Sequence, residues 1–273
     1  MNSKILKLII PLEILLFITS IVGIFTNIYF RETINWQAEA HGQDIFNLLI
    51  LFPVILVSSI KSKHGNRTAV FVLLGSLIYA VYTFAIYCFA VHFNEMFIVY
   101  CSVFGLSIYS LIYFAITFDV RLMNDWFRIN NIQKEGRQNK ILIYFLFAVS
   151  FFFFLLWMEQ ILPATFNGET PKSLIESGIL TNPVHVLDLS FVLPAIFVSA
   201  LLLKRNRPLG YLLAPSFLIF TLMIFVMLAV LMIILVLKGL EGNIILSIFF
   251  LVIAILCLLI FNGFINQIKT VIE

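Results

Sequence analysis

Eight stretches of this chain are long and apolar enough to cross a bilayer, and that constrains the fold more than any other feature. They lie at about 5–29, 44–60, 69–93, 96–118, 141–162, 186–203, 209–237 and 244–265. A helix needs about 20 apolar residues, with a working range of roughly 17–25, to span the hydrocarbon core. Composition agrees with the count: 62% of residues are hydrophobic and 11% are charged, whereas soluble domains are about half apolar and about a quarter charged. The expected fold is therefore an all-α integral membrane protein with about eight transmembrane helices. The second and sixth stretches are short and hold Pro53 and Pro194, which predicts a kink or a tilt in each.

The positive residues are sorted by side. With the amino terminus inside, the inner loops collect Lys4 and Lys7; Lys61, Lys63 and Arg67; Arg121, Arg128, Lys134, Arg137 and Lys140; Lys204, Arg205 and Arg207; and Lys269. Only Arg31, Lys172 and Lys238 remain outside. Cytoplasmic loops are enriched in Lys and Arg, and deleting any one helix would break this alternation. The sorting predicts a multi-pass protein of the cell (plasma or inner) membrane with both termini cytoplasmic. It also argues against a nucleic-acid partner, because the net charge of +3 is distributed over loops rather than gathered in one patch. Lys4 and Lys7 ahead of an apolar run resemble a signal peptide, but no small-residue cleavage site precedes Arg31, so the run is expected to persist as the first helix.

The chain reads as two related halves, 1–118 and 141–273, joined by a polar linker at 119–140. Placing Pro53 on Pro194 sets Val57 on Val198, Ser58 on Ser199 and Lys63 on Lys204 without a gap. Four helices per half would relate the halves by an axis along the membrane normal, a parallel pseudo-repeat of the kind some transporters use.

The residues able to carry chemistry include a repeated His-x-x-Asp, His41 with Asp44 and His185 with Asp188. Residues three apart share a helix face, so each pair can present an imidazole beside a carboxyl. Two readings compete. Each Asp could cap the amino end of its helix, accepting free backbone N–H groups. Alternatively, Asp44, Asp188, His41 and His185, with Gln43 and Asn47 as neighbours and Glu159 near the outer end of helix five, line an outward-facing pocket for a small molecule or ion. Glu13 lies about eight residues into an otherwise apolar helix, and an isolated carboxyl there is expected to carry a proton or to find a cationic partner. Hydroxyls on helices three and four, Tyr79 and Tyr87 among them, suit hydrogen bonding between helices. Trp36, Trp126 and Trp157 suit aromatic belts. Cys88, Cys101 and Cys257 lack dithiol spacing and read as buried thiols.

These residues favour a transporter or small-ligand-binding membrane protein, with Glu13 as a candidate proton carrier. A membrane-embedded zinc hydrolase acting on a lipid is the alternative, with His41, His92 and His185 as candidate ligands around an open water position. Haem held by two outer histidines is a weaker option. A receptor or assembly factor without chemistry is a third class. The lipid bilayer is the one partner that composition itself demands.

Overall fold

The computed structural model describes residues 5–127 and 136–269. Lys4, Arg128 and Lys134 of the charge-sorting argument, and the 128–135 part of the expected linker, lie outside the described residues, as does the side chain of Lys269. Among the described residues there are eight helices of membrane-spanning length and no strand. Helices α1 to α8 occupy Leu6–Phe25, Ile34–Lys63, Arg67–Ala90, Phe97–Thr117, Arg137–Asn167, Pro183–Lys204, Pro208–Leu237 and Ile244–Ile268. The chain is thus an all-α polytopic membrane protein. Large side chains such as Phe151, Ile245, Val252 and Leu259 are exposed on the helices, a surface suited to lipid rather than water.

Three boundaries differ from the sequence expectation. Helix α2 begins ten residues before Asp44, where the side chain of Thr33 accepts from the Trp36 backbone N–H at 3.4 Å. Its first turns mix polar and apolar residues, so hydropathy alone does not register them. Helix α5 continues through Pro163 to Asn167 and stops at Gly168, whose φ of 70° is left-handed. Helix α6 opens at Pro183 under an Asn182 cap, with the Val184 N–H donating to Asn182 Oδ1 at 2.9 Å.

Helices α2 and α6 share one backbone device at Pro53 and Pro194. Proline has no N–H and its ring clashes with the carbonyl four residues back. In both helices the turn before the proline widens to π-helix, over Asn47–Leu51 ahead of Pro53 and over Asp188–Val192 ahead of Pro194. The Phe52 N–H reaches back to the Asn47 carbonyl, and the Leu193 N–H to that of Asp188. π-Turns of this kind recur at functional positions in helices.

The correspondence continues downstream in the same gap-free register. Ser58 Oγ donates to the Ile55 carbonyl at 3.2 Å, and Ser199 Oγ to that of Ile196 at 2.8 Å. The helices end at Lys63 and Lys204, and the following turns are closed by Asn66 N–H to Lys61 O and by Arg207 N–H to Leu202 O. Gly65 (φ 84°) and Asn206 (φ 52°) take the left-handed position in each, which glycine and asparagine tolerate best. The next helices begin at Arg67 and Pro208.

The chain divides into two compact units that cut across the sequence halves. One comprises Met1–Asp119 with Leu218–Leu259, the other Val120–Phe217 with Ile260–Glu273. Within the first unit α3 is the central helix, with most of its residues buried. It packs against α4 and the later half of α2, while α1 packs against α4 and α2. Heptad-like stripes face inward: Ile9, Leu12, Glu13, Leu16, Ser20 and Gly23 on α1, and Tyr100, Val103, Ser107, Ser110 and Phe114 on α4. Within the second unit α5 packs against α6, with Phe147 and Phe197 ring centroids 4.9 Å apart. Phe127 packs there on both Tyr211 and Phe264.

Candidate functional site: aromatic residues over His-x-x-Asp pairs

In the first unit the cluster is built on Asp44, which is 1% exposed. Tyr29 Oη donates to Oδ2 at 2.6 Å and Tyr87 Oη donates to Oδ1 at 2.8 Å. Among the described residues no cationic side chain lies within ion-pairing distance of Asp44. Its two donors are neutral, and burial raises the Tyr29 phenol well above its ordinary range, with Tyr87 and Asp44 adding to the effect. Tyr29 therefore remains a hydrogen-bond donor at any physiological pH.

Three elements converge to make this contact. Tyr29 lies in the connection after α1, Tyr87 near the end of α3, and Asp44 in α2 just ahead of the π-turn. Gly23 allows the close approach, since a Cβ there would collide with the Asp44 carboxyl and lie 2.9 Å from Tyr29 Oη. Tyr100 and Phe84 extend the aromatic wall, their centroids 5.0 Å and 5.3 Å from that of Tyr87.

One turn along, Gln43 Nε2 donates to Asn47 Oδ1 at 2.8 Å and lies 3.0 Å from Tyr79 Oη. Asn47 is fully buried, and its Nδ2 has no partner among the described residues. His41 meets the ring of Tyr29 edge-on, at a centroid distance of 5.8 Å. Its Nδ1 touches the Gln37 carbonyl and lies 3.2 Å from Lys238 Nζ. Tyr29 thus spans the first His-x-x-Asp pair, its ring against His41 and its hydroxyl on Asp44.

The second unit repeats that arrangement with a different aromatic residue. Trp157 of α5 stacks obliquely on His185 at a centroid distance of 4.5 Å, and its Nε1–H donates to Asp188 Oδ2 at 2.8 Å. His185 and Asp188 are both buried, and His185 Nε2 has no hydrogen-bond partner among the described residues.

Several sequence expectations are corrected here. The capping reading of both aspartates fails, because Thr33 and Asn182 cap the helices and each Asp lies inside its own. Glu159 stays a candidate for the outer pocket: it is exposed, and two residues from Trp157 on a helix it is turned about 200° away from the residue that meets Asp188. Trp157 is more than a belt residue. Cys101 is exposed and Cys88 half-buried, their sulfurs 3.9 Å apart, so only Cys257 is a buried thiol.

His92 takes another role from that considered for it. Its backbone N–H donates to Glu32 Oε1 at 2.6 Å and its Nδ1 lies 2.9 Å from Glu32 Oε2, tying the α1–α2 connection to that after α3. Arg31 Nη1 reinforces the tie by donating to the Phe93 carbonyl at 2.7 Å. Among the described residues no group of three or more His, Cys, Asp or Glu is arranged to hold a metal ion. Tyr29, Glu32 and Lys238 were not singled out as site residues in the sequence, and no periodic or motif signal marks them.

Comparison of the chain with family models, with curated proteins and with solved structures finds no match. The class defined by the fold is that of polytopic all-α membrane proteins.

Proposed function

We propose that the protein is a transporter or small-ligand-binding membrane protein whose ligand bears a positive charge, bound on the outer part of α2 at Asp44. The observation that carries this reading is a buried carboxyl, inside a spanning helix, whose side-chain partners among the described residues are neutral phenols. Ionisable groups inside membrane helices are costly and mark ligand or ion pathways. A carboxyl walled by Tyr29, Tyr87, Tyr100 and Phe84 offers an ammonium group both a counter-charge and π-faces.

The adjacent π-turn and Pro53 supply a place where α2 can bend, since kinks localise at such features. In this reading a ligand displaces the phenols from Asp44 as α2 bends. The cluster of Trp157 on α5 with His185 and Asp188 on α6 is its counterpart in a repeated architecture, one four-helix half answering the other. The distribution of Lys and Arg over the loops supports an outward orientation for this site.

A thermal-shift screen of the purified protein with primary amines, quaternary amines and amino acids tests the reading, followed by uptake of any hit into proteoliposomes. A saturable rise in unfolding midpoint with an ammonium compound is expected. A panel in which only anions or neutral solutes shift the midpoint would overturn it.

A further inference from the structure

The interior of the first unit contains a carboxyl that the Asp44 cluster does not use. Glu13 lies on the inward stripe of α1 and is 5% exposed, and neither of its carboxyl oxygens has a hydrogen-bond partner among the described residues. Ser110 lies on the inward stripe of α4, fully buried, and its hydroxyl is likewise without a partner.

Helix register sets these two groups at one depth. Gly23 of α1 lies against Asp44, and Tyr100 of α4 packs on Tyr87, which bonds Asp44. Glu13 is ten residues back from Gly23 and Ser110 ten residues on from Tyr100, so both lie about 15 Å from the Asp44 level at 1.5 Å per residue. The displacement is in the same direction, because α1 ends and α4 begins at that level. Phe17 of α1 on Phe52 of α2, at a centroid distance of 5.6 Å, fixes an intermediate rung. The buried hydroxyl of Ser76 on α3, eleven residues back from Tyr87, falls at comparable depth, donating to a carbonyl of its own helix and keeping a lone pair free.

We propose that Glu13 is a monovalent-cation site within the membrane, taking a proton or Na⁺, and separate from the cluster on α2. An ionised carboxyl without a partner in a dry interior is strongly disfavoured, so oxygens that receive no donor from the protein require a positive charge from solution. Serine hydroxyls supply the hard oxygen atoms that such a cation takes as ligands. The titratable groups on the elements packed against α1 over this stretch are Tyr109 and Tyr113 of α4 and Lys61 and Lys63 at the end of α2, with Asp44 at the far level.

Dicyclohexylcarbodiimide, which adds to carboxylic acids in apolar surroundings, tests this on the whole protein in liposomes. The peptide holding Glu13 is expected to carry the adduct at acidic pH, falling several-fold toward alkaline pH. Indifference to replacing choline by Na⁺ identifies a proton site, whereas protection by Na⁺ identifies a sodium site. No adduct at Glu13 at any pH in Na⁺-free buffer, with a carboxylic-acid infrared band that Glu13→Gln leaves unchanged, overturns the proposal. Should Glu13→Gln fail to fold, labelling of the native chain still decides.

Discussion

Tyr29 Oη lies 2.6 Å from Asp44 Oδ2, so a residue in the connection after α1 holds a carboxyl inside α2. Removing that hydroxyl leaves one buried carboxyl oxygen without its donor, which typically costs about 1–3 kcal/mol. Tyr29→Phe is therefore expected to lower the unfolding midpoint in detergent. A double-mutant cycle with Asp44→Asn should show the two effects to be non-additive, since they share one contact.

Alkaline titration probes the same residue. The Tyr29 phenol is raised above its ordinary value by burial, so its stabilising contribution is complete below about pH 10, where an unfolded tyrosine ionises, and is lost as pH rises through the folded-state value. Tyr29→Phe should flatten the alkaline fall in stability, as measured by circular dichroism. A fall of unchanged steepness would mean that Tyr29 is not buried as described.

Gly23 is expected to tolerate no side chain. A methyl group there collides with the Asp44 carboxyl, and overpacking of this kind costs about 1–3 kcal/mol. Gly23→Ala should reduce the folded yield, and Asp44→Ala in the same chain should restore part of it. Equal yields for Gly23→Ala and the native chain would contradict the packing of α1 on α2.

Cys88 and Cys101, with sulfurs 3.9 Å apart, should cross-link under copper-phenanthroline oxidation, detected as loss of two alkylatable thiols and a linked peptide by mass spectrometry. Cys257, which is buried, should stay alkylatable only after unfolding. A failure to cross-link would contradict the register of α3 against α4.

The eight spans and the bends ahead of Pro53 and Pro194 are legible in the sequence because apolar runs and proline act locally. The alignment of Pro53 on Pro194 reaches further still, since π-turns, serine back-bonds and left-handed turns match along it. The start of α2 is not legible by hydropathy, because its amphipathic first turns carry their signal in the Thr33 cap. The His-x-x-Asp pairs are visible as a pattern, whereas their aromatic partners are not. Tyr29 and Trp157 lie 15 and 31 residues from the carboxylates they meet, and only packing brings them there.

The most direct test is the effect of Asp44→Asn on the thermal shift produced by an ammonium compound that stabilises the native protein. The account predicts a folded variant whose affinity for that compound falls about tenfold or more, equivalent to at least ~1.4 kcal/mol of binding free energy. A folded Asp44→Asn protein that binds the compound as the native chain does would contradict it.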